Sequence, residues 1–306
     1  MNDSPEDHSS GPVLALLTPA GWVDYALLDS GNGLKLERYG PYTFIRPEPQ
    51  AIWQPAIQQE SWQAAHAIFQ PTREESGGHW QYNKPVKTSW MMQYKGLKFR
   101  AQTTAGRHLG VFPEQAPHWD WIGRVVQTAK HPVNVLNLFG YTGLASLEAA
   151  RAGAHVTHVD ASKKSVAWAR ENQALSELQD RPIRWIVDDA LKFVQREARR
   201  GVKYEGLILD PPKFGRGPKG EVWEFYRLLP ELSGACRNIL SQQPLFVCLT
   251  AYAIRASALS LYYSLQEIVA GFAGQISAGE LALEERSAGR MISMAIFARW
   301  ESERYN

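Results

Sequence analysis

Cysteine is scarce. Only Cys236 and Cys248 occur in 306 residues, and they form no CxxC pair. That excludes a disulfide-stapled scaffold and fits a reducing compartment. No apolar run approaches the ~20 residues of a membrane-spanning helix. The start, MNDSPEDHSS, lacks the basic stretch and apolar core of a secretory signal, so residues 1–11 read as a frayed tail. A cytoplasmic location is the expectation. Charge of one sign is missing too. Lys and Arg number 33 against 31 Asp and Glu, a net +2. Residues 1–118 hold 10 basic and 11 acidic side chains, and the remainder holds 23 and 20. A general nucleic-acid binder carries a stronger basic bias, so bulk charge points to no RNA or DNA partner and leaves room only for a local patch. HExxH and Cys/His clusters are absent. His155 and His158 are three apart on an expected strand and face opposite sides, so no metal site is expected. No internal repeat or low-complexity tract is visible.

Apolar residues make up 44% of the chain, enough for a sizeable core. Two parts are expected. Residues 12–117 are rich in turns and aromatics and read as a small β-rich, Trp-rich domain. Gly31-Asn32-Gly33 and Lys95-Gly96 each sit between strand-like runs and signal hairpins. Trp22, Trp53, Trp62, Trp80, Trp90, Trp119 and Trp121 fall in or just after this part. Large aromatics serve as core or as platforms for stacked bases, and sequence alone separates the two poorly.

Residues 118–306 become regular. APHWDWIGRVVQTAK leads in as a helix. Strands are expected at 133–139, 155–160, 183–187, 204–210, 244–250, 278–285 and 291–299. Helices are expected at 142–152, from Ser162 to 175, up to 198, at 222–240 and at 255–272. Gly153 is placed as a C-terminal cap and Ser162 as an N-cap. The alternation implies a Rossmann-like α/β fold, seven-stranded and mostly parallel, with helices on both faces.

Ligands of such sheets lie beyond the carboxyl ends of the strands. The first strand ends in Phe139-Gly140-Tyr141-Thr142-Gly143, the second in Asp160, the third in Asp188-Asp189 and the fourth in Asp210-Pro211-Pro212-Lys213. The GxxxxGK[ST] phosphate loop is absent. So is GxGxxG, and with it the close approach to a pyrophosphate. Asp160 stands 20 positions after Gly140, the spacing of a carboxylate that accepts both ribose hydroxyls. Asp189 or Asp188 suits the exocyclic amine of an adenine. An adenosine without a pyrophosphate cradle describes S-adenosylmethionine better than a dinucleotide. Each acid taken singly is more often a helix cap; three in successive strand ends beside a glycine turn shift the balance.

The Asp210-Pro-Pro-Lys run is the sharpest motif. One reading is a rigid strand-ending turn. The other is a loop that fixes the Asp210 carboxyl and nearby carbonyls so that they accept from a planar amino group. Such a loop would hold a nucleophile in line with the methyl group, and this transfer needs mainly positioning. A planar target would stack near Pro212 and Phe214, and a base in a folded RNA would first be extruded. RGPKGE, 216–221, reads as a flexible basic loop that either closes over substrate or is a plain connection.

LNLFGYTG, HVDASKKSVAWARENQ, WIVDDALKFV and LILDPPKFGRG together resemble the class I S-adenosylmethionine-dependent methyltransferases. They are most similar to the bacterial 23S rRNA methyltransferase family with its cytosine-C5 and guanine-N branches. GLKFRAQTTAGRHLGVFPEQ resembles that family's segment before the catalytic domain. The likeness spans about 95–300. It implies an enzyme with S-adenosylmethionine as cofactor and ribosomal RNA as partner and substrate. By the same resemblance Phe139, Gly140, Tyr141, Thr142 and Gly143 form the cofactor turn, and Asp160, with Ser162 beside it, takes the ribose. Asp189 and Asp188 meet the adenine, Phe112 and Gln115 line the mouth, and Asp210, Pro211, Pro212 and Lys213 are catalytic. The family's N-terminal RNA-binding PUA-like domain has no evident counterpart. The C5 branch needs a thiolate, and its cysteine would fall near Thr250. Cys248, two residues earlier, is displaced by ~6.6 Å along a strand, so a nitrogen target, or an oxygen, fits better and Cys248 reads as core. A methyltransferase of a small molecule or protein, and a non-catalytic cofactor-binding module, are the alternatives.

Overall fold

A computed structural model describes residues 12–72 and 77–303. The tail expected over 1–11 lies outside them. In chain order, β1 (Leu14–Leu17) precedes β2 (Tyr25–Gly31), β3 (Leu34–Tyr39), β4 (Tyr42–Pro47), α1 (Gln59–Gln63), β5 (Ala67–Pro71) and β6 (Gly78–Tyr82). Strands β2 to β6 form one five-stranded sheet, and β7 (Trp90–Tyr94) pairs with β8 (Leu97–Ala101). Both hairpins expected from sequence are present. Their turns need positive φ at both central residues, supplied by Asn32 (52°) with Gly33 (75°) and by Lys95 (44°) with Gly96 (89°).

A 3-10 turn, Pro113–Gln115, leads into α2 (Ala116–Thr128). Then come β9 (Asn134–Leu138), α3 (Leu144–Arg151), β10 (His155–Asp160), α4 (Lys163–Leu175), β11 (Ile183–Val187), α5 (Ala190–Arg199) and β12 (Gly206–Leu209). A short hairpin, β13 (Phe214–Arg216) and β14 (Val222–Glu224), precedes α6 (Phe225–Arg237). β15 (Phe246–Ala251), α7 (Ala258–Ile268), β16 (Gly274–Glu284) and β17 (Met291–Ser302) complete the chain. The large sheet runs β1-β16-β17-β15-β12-β9-β10-β11. All its pairings are parallel except those of β17, which runs against β15 and β16.

The seven expected strands are β9 to β12 and β15 to β17, and β1 is an eighth. It lies on the edge of the large sheet rather than in the small β-rich part. Gly279 admits it, because a Cβ there would sit 1.7 Å from the Ala15 carbonyl oxygen. Four residues, LALL, with no alternation and a partner more than 260 positions away gave no signal of that pairing. Several boundaries also move, two of them beside the site. The helix read from Thr142 begins at Leu144, because Thr142 and Gly143 are spent on the turn. The helix read over 222–240 begins at Phe225, after β14.

The aromatics of the small part are mostly core. Trp22, Trp62, Trp90, Trp119 and Trp121 are buried, and Trp53 and Trp80 pack against the same interior. One apolar cluster joins Trp22, Tyr39, Phe44, Trp90 and Phe99 to Leu144 and Leu147 of α3 and Ile292 of β17. The small sheet is thus fixed directly above the helix that follows β9.

Candidate active site

Sheet order reverses between β9 and β12: β10 and β11 build outward on one side, β15 and β17 on the other. A crevice opens at such a point because successive helices leave on opposite faces. The turn Phe139–Gly143 stands at its floor. Phe139 (φ 59°), Tyr141 (49°) and Gly143 (87°) all lie in the left-handed region, a costly conformation for an aromatic residue. The turn is held from several sides. The Gly140 amide donates to the Val159 carbonyl (3.1 Å), the Tyr141 amide to Asp160 Oδ2 (2.9 Å) and the Thr142 hydroxyl to the Gly110 carbonyl (2.7 Å). Beneath it, His158 is fully buried, and a Cβ on Gly140 would meet its ring at 2.4 Å. Ser146 bridges His158 Nδ1 (3.0 Å) and Asn137 Nδ2 (2.9 Å). Burial holds the His158 imidazole neutral, lowered to about 3.

Asp160 accepts a second amide, that of Ser162, at Oδ1 (2.8 Å). Burial raises its proton affinity, and the Ser162 and Tyr141 amides offset only part of that rise. Each carboxylate oxygen keeps a lone pair. Ser162 is also the N-cap of α4, its Oγ accepting from the Ser165 amide (3.1 Å). Asp189 caps α5, with Oδ1 accepting from the Lys192 amide (3.0 Å) and Oδ2 left over. Asp188 instead pairs with Arg196 (2.6 Å).

Asp210 is half-buried, and its two oxygens differ. Oδ2 accepts from Gln115 Nε2 (3.2 Å), while Oδ1 is enclosed and has no hydrogen-bond partner. Burial, then the neighbouring Glu114 carboxyl, push the Asp210 acid up to about 8. Pro211 and Pro212 carry the chain away from the sheet, and the Pro212 carbonyl accepts from the Trp223 indole (2.6 Å). Lys213 is exposed at the rim. Phe112 lies against Tyr141 and Tyr252, with ring centroids 5.5 and 5.2 Å apart. Phe112, Gln115, the whole 139–143 turn, Asp210, Cys248 and Thr250 line one cavity of about 50 Å³ at the base of the crevice. The structure therefore brings together the turn, Asp160, Asp210, Phe112 and Gln115, while Asp188 is committed to Arg196.

The chain from 43 to 262 matches the model of the S-adenosylmethionine-dependent methyltransferases. The chain belongs to this family. The methyltransferase is 49% identical to a SAM-dependent methyltransferase from Agrobacterium tumefaciens of known structure, covering 95% of this chain and 94% of that one with a TM-score of 0.91. Its fold is shared with SMU.776, a methyltransferase solved with SAH, at 17% identity and TM-score 0.68 over 90% of this chain and 75% of that one. Among curated relatives, the ribosomal RNA large subunit methyltransferase K/L of Shewanella sp. (strain ANA-3) is 34% identical over 160 residues, 51% of this chain. The chain spans only about a fifth of the length of such relatives, 22% in that case.

S-adenosylmethionine is the methyltransferase's cofactor, and the groups around the crevice suit it chemically. The turn offers a concave backbone, Asp160 two open lone pairs and Asp210 an unpartnered oxygen. Cys248 is buried on β15 beside Ile208, and burial pushes its thiol up to about 12. RGPKGE forms the end of the β13–β14 hairpin. The Gly217 amide donates to the Glu221 carbonyl (2.8 Å), and Glu221 is pinned to Lys192 of α5 (2.7 Å). Among the described residues no group of three or more His, Cys, Asp or Glu is placed to hold a metal, and no helix is long and apolar enough to cross a membrane.

Sequence reasoning missed three participants. Tyr252 and Glu114 join Gln115 and Asp210, and His158 supports the turn. Tyr252 follows β15 immediately and could have been found by reading a fifth strand end. Glu114 and His158 carry no local signal, since a lone Glu or His is ordinarily a surface or core residue.

Proposed function

We propose that this methyltransferase acts in the cytoplasm on a base nitrogen of ribosomal RNA, with residues 118–306, β1, Phe112 and Gln115 carrying the chemistry and the rest of 12–117 bracing it. The observation that carries the reading is Asp210 Oδ1: a carboxyl oxygen with no partner, beside the cofactor turn and just before a hairpin that carries exposed aromatic and basic residues. Phe214 and Tyr226 are 56% and 53% exposed. Lys213, Arg216, Lys219 and Arg227 flank them in sequence. Exposed rings among cations suit an unstacked base and its phosphates. The curated relatives' name, ribosomal RNA large subunit methyltransferase K/L, supports the same substrate.

When bound, S-adenosylmethionine supplies a sulfonium-activated methyl group whose carbon–sulfur bond breaks with the electron pair kept by sulfur. Phe139, Gly140, Tyr141, Thr142 and Gly143 would cradle its methionine part. Asp160, ordered by the Ser162 and Tyr141 amides, would take the ribose hydroxyls, and Asp189 Oδ2 the adenine amine. Phe112 and Gln115 would close the mouth. Asp210 Oδ1 would orient the target N–H and receive its proton as the nitrogen–methyl bond forms. Pro211 and Pro212 fix the loop, and Lys213 would meet a phosphate or base oxygen. Cys248 stays protonated, so attack by a thiolate on a pyrimidine ring does not fit. Asp210→Ala should reduce transfer by ~10²–10⁴-fold while calorimetry shows the cofactor still bound. Undiminished transfer would overturn the role of this loop.

A further inference from the structure

Glu114 is 2% exposed and stands on the 3-10 turn, one residue before Gln115. A buried carboxyl needs a reason, because it costs desolvation unless something holds it. Its neighbours supply one. Burial raises the proton affinity of the Tyr252 phenol, which lies close enough to the Glu114 carboxyl for that charge to raise it further. Tyr252 Oη also accepts from Gln115 Nε2 (3.0 Å), and the same amide nitrogen donates to Asp210 Oδ2 (3.2 Å). A phenol has one proton. Since its oxygen is taken up accepting from Gln115, that proton points to Glu114. The chain of donors therefore has one direction, from the Gln115 amide outward to Asp210 on one side and through Tyr252 to Glu114 on the other.

We infer that Glu114 and Tyr252 are positioning residues for Asp210. They hold the Gln115 side chain with its NH₂ toward Oδ2, so that Oδ1 alone is left to accept from the target nitrogen. This rests on the role proposed above for Asp210. Were the amide reversed, its carbonyl would face the carboxylate and repel it. As the nitrogen lone pair becomes the nitrogen–methyl bond and the methyl–sulfur pair stays with sulfur, the N–H proton passes to Oδ1. It leaves for solvent with the product.

Charge adds to geometry. The groups facing Asp210 are Glu114 on the 3-10 turn, Tyr252 beyond β15 and Cys248 on β15. Behind Glu114 stand Lys35, Glu37 and Tyr39 of β3, Arg46 of β4 and Tyr25 of β2. Their cations are already matched: Arg46 pairs with Glu37 (2.7 Å) and Lys35 with Glu48 (3.3 Å). Glu114 thus keeps enough of its own field to raise the proton affinity of Asp210. The small sheet reaches the reaction through this buried cluster.

The test uses the full chain as wild type, Glu114→Gln, Tyr252→Phe and Asp210→Asn. The first readout needs no substrate: carboxyl carbon-13 NMR of the cofactor-free protein against pH, with the Asp210 signal identified by its loss in Asp210→Asn. Glu114→Gln keeps the shape and removes the charge, so the Asp210 midpoint should fall by about one pH unit. The second readout is transfer from labelled S-adenosylmethionine to large ribosomal RNA. Tyr252→Phe should lower kcat about tenfold or more with KM for the cofactor unchanged, and Glu114→Gln should move the acid limb of the rate profile down with the NMR midpoint. An unmoved midpoint in Glu114→Gln, or an unaltered kcat in Tyr252→Phe, overturns the inference even if Asp210→Asn is inactive. Full activity in Asp210→Asn instead overturns the reading of the site. RNA that stays unlabelled by the wild type overturns the substrate, and the NMR midpoint then still decides the inference.

Discussion

Asp210 couples function to stability in a way that can be measured without substrate. Its carboxyl titrates near ~3.9 in an unfolded chain and is pushed up to about 8 by burial and by Glu114 in the folded one. A raised carboxyl contributes stability that is complete below the unfolded value and is lost as pH rises through the folded one. Wild type should therefore lose ground to Asp210→Asn between about pH 4 and 8, with the difference in Tm level above that. Melting curves across this range check it, and parallel curves would show that Asp210 is not perturbed. Asp160 has the opposite duty, ordering two amides and leaving lone pairs for a ligand. Asp160→Asn turns one acceptor oxygen into a donor, and should weaken cofactor binding by ~10-fold or more; isothermal calorimetry reads this directly. Both acids were legible because each ends a strand of an alternating α/β pattern. Glu114 and His158 were not. Their meaning comes from neighbours far away in sequence, such as Lys35 and Arg46 for Glu114, and no local pattern encodes that.

The decisive element is the turn between β9 and α3. Its glycines invite the assumption that Gly140 is there for backbone freedom, yet the left-handed residues beside it are Phe139 and Tyr141. Gly140 is needed because His158 lies beneath it. Gly140→Ala should force a Cβ against the ring at 2.4 Å, cost ~1–3 kcal/mol by overpacking and abolish cofactor binding. Adding His158→Ala should recover part of the stability. If the double variant is no more stable than the single one, the steric account is wrong. The run LNLFGYTG identified the turn from sequence, since an apolar strand stopping at a GxxG is strong punctuation. What filled the space below it was hidden. The β13–β14 hairpin shows the complementary failure. RGPKGE looks mobile by composition, but Glu221 closes it by taking the Lys219 amide and the Lys192 ammonium.

For the molecule as a whole, two assemblies of strands share one interior. The parallel sheet was readable because β9, β10, β11 and β15 each end in a turn that is followed at short range by a helix. The edge strand β1 was not, being paired across almost the whole chain with Gly279 cut away to receive it. The Trp-rich part was readable as β structure, and its tryptophans proved to be packing that seats the small sheet on α3. A net charge of +2 implies that the proposed RNA contact is local, and the exposed residues between Phe214 and Arg227 are the candidate surface for it. RNA binding should therefore weaken with salt, with a log–log slope corresponding to about two to four phosphates. Lys219→Ala should reduce that slope by about one. Filter binding across a salt series measures both, and a slope of zero would remove the rim from the account.

The most direct measurement supplies methyl-labelled S-adenosylmethionine and the purified chain to ribosomal RNA, protein and small-molecule fractions from cells lacking its gene. The account predicts label in large ribosomal RNA, recovered after digestion as an N-methylated nucleoside and absent with Asp210→Ala. Label confined to protein or small molecules, with the RNA silent, would contradict it.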